Sequence, residues 1–217
     1  MTSTFIVART DYDGMVEEAL AHRGMETGGT GLGVRRGNEI IKVFNVPAGP
    51  GARRARARYT PDTRWQEAVV RVIRQRLPQL TYVSDWHVHP DSFDEPSSID
   101  RDTARRVVSE TEWDAPAVVF PIAVIEEGRV RFRAYLMTRE VLEFEEIPFL
   151  VVPDNDPHMI AALTGMDAIP MEASNEGREA HDPGGEQRGG ESRGMLRRIA
   201  AHLWNRPARR GRVSDPQ

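Results

Sequence analysis

His87 and His89, one residue apart, lie in a stretch that reads D-W-H-V-H-P-D-S-F-D-E-P-S-S-I-D-R-D from Asp85 to Asp102. Tyr82, Val83 and Trp86 before them read as a β-strand. Residues two apart on a strand share a face, so both imidazoles point the same way. Pro90 cannot donate to a sheet ladder and ends the strand, and the polar run to Glu95 and Pro96 reads as a loop. Ser97 or Ser98 then caps a helix with an apolar stripe of Ile99, Ala104, Val107 and Val108. Asp100 falls in its first turn, carboxylate toward the loop. Two imidazoles and one carboxylate suit zinc. Three protein ligands also leave a fourth position for water, as in a catalytic rather than a closed structural site. Asp91 and Asp102 are rival carboxylates; Asp102 lies about 200 degrees round the helix from Asp100.

These residues resemble the motif of the JAMM (JAB/MPN-type) metallopeptidases: a distant Glu, then H-x-H, seven residues and S-x-x-D. Glu26, His87, His89, Ser97 and Asp100 fill that pattern here. E-T-G-G at Glu26, the Trp before the first His, and P-S-S-I-D are similar to bacterial JAB proteins that accompany ubiquitin-like conjugation enzymes. The resemblance runs from roughly residue 10 to residue 150.

The resemblance implies one zinc ion held by His87, His89 and Asp100. It makes Glu26 the general base that moves a proton from water to the leaving amine, and Ser97 the donor to the oxyanion. Without it, Glu26 reads as a surface carboxylate near a glycine turn and Ser97 as a plain N-cap. The implied fold is an MPN/JAB-like (cytidine-deaminase-like) α/β (α+β) domain, a mixed β-sheet flanked by helices. The implied activity is hydrolysis of the amide bond after the C-terminal glycine of a ubiquitin-like protein, in a conjugate or precursor, with conjugation-system enzymes as possible partners. Two alternatives are trimming of a sulfur-carrier protein and a non-catalytic MPN scaffold; the complete Glu, His, His, Ser, Asp set counts against the scaffold. Val88 departs from the Ser or Thr usual between the histidines. Its side chain points away from the metal on a strand, so the expected effect is on local packing.

The composition narrows the remaining classes. With 217 residues and 39% apolar content, the chain fits one ordinary domain plus an extension. A formal charge of −4 gives no basic field for nucleic acid, which also weighs against a DNA-linked role. Cysteine is absent, excluding disulfides, thiolate metal sites and a cysteine nucleophile. No signal-peptide pattern and no run of 18 apolar residues is visible, so no transmembrane segment and a cytoplasmic location are expected.

The surrounding elements must position the site. Phe5, Ile6 and Val7 read as a short strand or extended arm. Asp11 or Asp13 caps a helix carrying Met15, Ala19 and Leu20 and ending at Gly24. The G-G-T-G-L-G run after Glu26 allows close backbone approach; a phosphate loop is disfavoured because no helix pattern follows. Leu32 to Val46 reads as a hairpin turning at Gly37-Asn38, and Arg53 to Tyr59 as an exposed edge strand or a contact surface for an acidic partner or for a ubiquitin-like protein's tail. Asp62 or Thr63 starts a core helix with Trp65, Ala68, Val69, Val72, Ile73 and Leu77 on one face. Ala117 to Ile125 and Arg129 to Met137 form a second hairpin, and Ile147 to Val152 one further strand. Trp86 faces away from His87 as a core anchor, and His22, His158, His181 and His202 read as structural or exposed. The domain is expected over 1–155, followed by a flexible linker over 156–194, rich in Gly, Glu, Ser and Arg, and a basic amphipathic tail over 195–217. That tail carries six Arg and no acid from Leu196 to Arg212, and reads as a docking element for a partner, a membrane surface or nucleic acid, or as a solubilising extension.

Overall fold

The computed structural model describes residues 2–91, 93–110 and 115–165. The chain divides into a unit of residues 1–170 and one of residues 171–217. The basic tail, and the linker read from the sequence from residue 166 on, lie outside the described residues.

The first unit is built on an eight-stranded mixed sheet. Its strands are β1 (Thr4–Ala8), β2 (Gly28–Arg36), β3 (Glu39–Pro47), and β6 (Thr81–Val88), β7 (Ala117–Glu126), β8 (Arg129–Thr138), β9 (Glu145–Ile147) and β10 (Phe149–Val152). They run in the order β10-β1-β3-β2-β6-β7-β8-β9. β1 is parallel to both neighbours, β6 is parallel to β7, and the remaining pairs are antiparallel. Helix α1 (Arg9–Ala21) buries Met15 and Ala19, one turn apart, in a core with Phe5, Val83, Trp86, Val88 and Ile147. Helix α3 (Ser98–Ser109) buries Ala104, Val107 and Val108 against Val118, Phe120 and Met137. The mixed sheet flanked by helices is the expected architecture.

Several elements differ from the sequence reading for local reasons. Helix α1 starts at Arg9, before either aspartate, with Ala8 as N-cap and no side-chain cap. Asp11 is committed elsewhere: its carboxylate pairs with Lys42, whose side chain is fully buried. Asp154 instead serves the first turn, accepting from the Thr10 N–H at 2.9 Å. The glycine run is strand, so β2 begins at Gly28 rather than Leu32. Glycine is a poor strand former, but at Gly28 a Cβ would lie 2.0 Å from the Trp86 carbonyl oxygen, and only a missing side chain lets the two backbones meet.

The Arg-Ala segment is two strands, β4 (Arg53–Ala55) and β5 (Arg58–Thr60), paired as a separate small sheet. Ile147 to Val152 is also two strands, because Pro148 breaks the ladder. β9 and β10 end on opposite edges of the sheet, so those edges close on each other, with Phe132 and Phe149 stacked 5.5 Å apart. The second hairpin turns at Glu127 and Gly128, both at positive φ (50° and 78°), as a twisted two-residue turn requires.

Helix α2 (Thr63–Arg76), capped by Asp62, occupies its expected place but not its expected depth. Only Gln66 and Ile73 are buried; Trp65, Val69 and Val72 are half-buried and Ala68 is exposed. The helix packs over β3, toward one side of the sheet, so part of its apolar stripe is left uncovered. The folded unit also continues past residue 155. Helix α4 (Pro157–Thr164), capped by Asp156 and ended by Gly165 at φ 71°, buries Met159, Ala161 and Ala162. Its short apolar stripe, flanked by Asp-Pro and Gly, was a legible helix signal inside the stretch read as linker.

Candidate metal centre

Strand β6 carries His87 to the centre of the sheet, between β2 and β7, opposite Gly28 on one side and Ile122 on the other, and His89 follows the strand's end at Val88, its N–H donating to the Ala123 carbonyl at 2.8 Å. Trp86 and Val88 point to the opposite face, 1% and 0% exposed in the core. The Trp86 indole N–H donates to Asn45 at 2.7 Å, and Val88 has the packing role expected of it. Farther back on β6 the pairing slips, with Gly31 opposite Ser84 but Leu32 opposite Tyr82. This bulge turns Tyr82 toward the side of Asp85, and its hydroxyl donates to the Asp85 carboxylate at 2.7 Å. Thr30 donates to the other oxygen at 2.8 Å. Burial raises the Asp85 carboxyl to about 6 despite both hydrogen bonds.

The two imidazoles converge with Asp100. Their Nε2 atoms are 2.8 Å apart, and the Asp100 oxygens lie 3.3 Å from His87 Nε2 and 3.6 Å from His89 Nε2. His89 Nδ1 donates to the Phe93 carbonyl at 2.7 Å, which leaves the Nε2 lone pair directed at the meeting point. Asp100 is held by a capping box: its Oδ2 accepts from the Ser97 N–H at 2.7 Å and the Ser97 hydroxyl at 2.6 Å. Burial would raise the Asp100 carboxyl, but hydrogen bonds from His87, His89 and Ser97 overcome it and hold the group well below the usual carboxylate range. His89 titrates above its ordinary value, because Asp100 and the Phe93 carbonyl outweigh burial. A buried pair of imidazole nitrogens and a carboxylate kept ionised is a donor set that fits a divalent metal.

Glu26 enters from the loop after α1. Its N–H donates to the Ala55 carbonyl at 2.8 Å, which ties it to the β4–β5 hairpin, and the next carbonyl, of Thr27, accepts from Val88 N–H at 2.8 Å. The buried Thr27 hydroxyl donates to Glu18 at 2.6 Å and accepts from Arg54 at 2.8 Å. Glu26 is half-buried and faces the same cleft as His87, His89, Ser97 and Asp100. Burial raises its carboxyl, opposed by the two histidines. A carboxylate poised upward beside a metal-type triad is equipped to accept and return a proton.

The five sequence-selected residues therefore share one cleft, and the rivals do not. Asp91 pairs with Arg56 and Asp102 lies near Arg105, both largely exposed. His22 and His158 pair with Glu18 and Glu39 outside the cluster, while His181 and His202 lie outside the described residues. Among the described residues, His87, His89 and Asp100 form the one group of three placed to hold a metal, their ligand atoms all within 4.8 Å of one another. The sequence reading missed what holds the loop between His89 and Ser97. Asp94 accepts from Arg131 and Arg133, each at 2.9 Å, and its carbonyl accepts from Tyr135 at 2.8 Å, next to the Phe93 carbonyl used by His89. Those arginines lie in the hairpin strand read over Arg129 to Met137, and no spacing links them to Asp94.

The cleft continues as a groove between α2 and α3, reaching Thr81, Val70 and Phe120, and cleft and groove together enclose about 1060 Å³. No described helix is long and apolar enough to cross a membrane.

Comparisons with known proteins agree with this geometry. A family model described as prokaryotic homologs of the JAB domain matches residues 9–136. A probable metalloprotease, y4qB, from Sinorhizobium fredii (strain NBRC 101917 / NGR234) is 29% identical over 140 residues, covering 62% of this chain and 85% of that protein. A CD-NTase/cGAS isopeptidase from Escherichia coli (strain TW11681) is 32% identical over 76 residues, 35% of this chain and 49% of that protein. The solution structure of protein DSY2949 from Desulfitobacterium hafniense shares the fold, with a TM-score of 0.55 at 16% identity over 72% of this chain and 98% of that one. The chain belongs to the family of prokaryotic JAB-domain proteins.

Proposed function

We propose that the protein is a zinc-dependent isopeptidase that hydrolyses the amide bond after the C-terminal glycine of a ubiquitin-like protein, in a conjugate or a precursor. The observation that carries this reading is the convergence of His87 Nε2, His89 Nε2 and the Asp100 carboxylate within 4.8 Å, with Glu26 facing the same cleft. The names of the two relatives, a probable metalloprotease and an isopeptidase, support the same class of chemistry.

In this reading His87, His89 and Asp100 hold zinc, which when bound supplies a Lewis acid that polarises a carbonyl and eases loss of a proton from water. Glu26 takes that proton and delivers it to the departing amine, a task suited by its raised affinity for a proton. Ser97 stabilises the oxyanion. Its hydroxyl hydrogen, given to Asp100 here, turns to the substrate oxygen. The Thr27–Val88 backbone bond and the Ala55–Glu26 bond keep the base in register with the histidine strand.

The test is cleavage of a panel of ubiquitin-like and sulfur-carrier fusions ending in Gly-Gly, by wild type, Glu26→Gln and chelator-treated protein. Cleavage lost in both controls supports the reading and gives the substrate class. Zinc bound without cleavage of any fusion overturns it in favour of a binding scaffold.

A further inference from the structure

The groove beyond the metal centre has a charge pattern of its own. Its floor is β2 and β6, its walls are α2 and α3, and the metal-type triad closes one end. From His87 back to Thr81 it follows six residues of β6, about 20 Å of strand. Three guanidinium groups line it: Arg58 from the β4–β5 hairpin, Arg74 in the last turn of α2 and Arg106 in the last turn of α3. All three residues are exposed, and none has an ion-pair partner among the described residues. This contrasts with Arg54, Arg56, Arg105, Arg131 and Arg133, each paired to a carboxylate. Glu67 is the one carboxylate among the groove residues away from the triad, Glu26 and Asp85.

We propose that the α2–α3 groove receives the extended C-terminal tail of the modifier and selects acidic side chains in that tail through Arg74 and Arg106, with Arg58 nearer the scissile bond. The inference rests on the isopeptidase reading, which supplies a flexible chain ending at the metal. A tail is the partner that fits, because a groove that follows β6 from Thr81 to the metal-type triad matches a free, extended terminus, whereas the amine side reaches the centre as a single lysine side chain on a folded protein. Half-buried Val70 offers apolar contact along the groove, and the unpaired arginines supply the charge preference. Arg106 is six residues along α3 from Asp100, about 9 Å. An extended chain covers that distance in about three residues, which sets the acidic positions at the third to fifth residues from the terminal glycine.

The experiment measures binding and cleavage separately on the zinc-loaded full chain. Fluorescein-labelled octapeptides ending in Gly-Gly, with either Glu or Arg at the third to fifth positions, are titrated by anisotropy against wild type and the Arg74→Glu/Arg106→Glu double variant. The Glu peptide binds wild type about tenfold or more tightly than the Arg peptide, the preference reverses in the double variant, and it collapses at about 1 M salt. Equal affinities, or a preference unmoved by the charge reversal, overturn the proposal. Since both arginines are exposed and unpaired, the variant keeps its fold, checked by its thermal transition. The same peptides joined to a lysine ε-amine report cleavage. Charge-selective binding without cleavage leaves the groove assignment standing and defeats the isopeptidase reading, and cleavage blind to tail charge does the reverse.

Discussion

Gly28 on β2 lies directly opposite His87 on β6, with no room for a side chain between them. This contact sets the spacing between the strand that follows Glu26 and the strand that bears the histidines. A methyl group at Gly28 would meet the Trp86 carbonyl oxygen at 2.0 Å, and backbone cannot swing aside as a flexible side chain does. Gly28→Ala is therefore expected to cost about 1–3 kcal/mol by overpacking. It also lowers turnover on any cleaved fusion more than a surface Gly→Ala such as at Gly14, which has nothing within 4 Å of its added Cβ. Urea unfolding and steady-state kinetics of the two variants check this, and equal behaviour would count against the strand-spacing role.

The roles of base and ligand separate by metal content. Glu26→Gln is expected to keep zinc at the wild-type ratio while turnover falls about 10²–10⁴-fold, the usual worth of a positioned acid–base group. His89→Ala is expected to lose both, since it removes one of three donors and the Phe93 carbonyl loses its partner. Metal analysis of the purified variants beside their rates distinguishes the two.

Lys42 and Asp11 form a buried ion pair beneath α1, 0% and 7% exposed at the side chain. Burial pushes the lysine down and the aspartate up, each partner opposing that for the other. Lys42→Met leaves Asp11 buried without its cation and is expected to cost about 3–5 kcal/mol, while Lys42→Met with Asp11→Leu recovers most of that loss. A double-mutant cycle by urea denaturation gives the coupling, and additive losses would refute it.

Asp85 gives stability a pH dependence. Its folded-state pKa of about 6 lies above the ordinary 3.8, so the folded protein holds the proton more tightly than the unfolded chain. The stabilisation is full below about pH 4 and is lost as pH rises through about 6, levelling off above about 7. The difference corresponds to about 3 kcal/mol as an upper figure. Asp85→Asn should flatten the profile, gaining stability at pH 8 relative to wild type and none at pH 4. Denaturant midpoints of metal-free protein across that range measure it, and parallel profiles for the two proteins would exclude the assignment.

The metal-type triad was legible because it is compact in sequence and built from two regular periods. A strand repeat of two aligned His87 with His89, and a helix N-cap put Asp100 in the first turn, while the family's S-x-x-D pattern chose it over Asp91 and Asp102. Glu26 was legible only through a family pattern, because its approach to the triad depends on Gly28 meeting Trp86 across the sheet, a contact no local spacing records. The depth of α2 was misjudged for a related reason. Its apolar period is right, but a period does not say how much of the stripe the sheet will cover. Pro148 was a visible breaker inside Ile147 to Val152, yet only tertiary structure sends the strands on its two sides to opposite edges. The basic amphipathic tail read over 195–217 lies outside the described residues.

The closure at Pro148 also has a meaning in the order of synthesis. β1 leaves the ribosome before every other strand of the sheet, yet one of its two neighbours is β10, made more than 140 residues later. Every residue of the metal-type cluster has emerged by Asp100, so these side chains exist for a long interval in a sheet that cannot yet close. The last short strands act as a latch on a site already made, and a chain halted before Phe149 would carry all the ligands without the seam that holds α1 in its core.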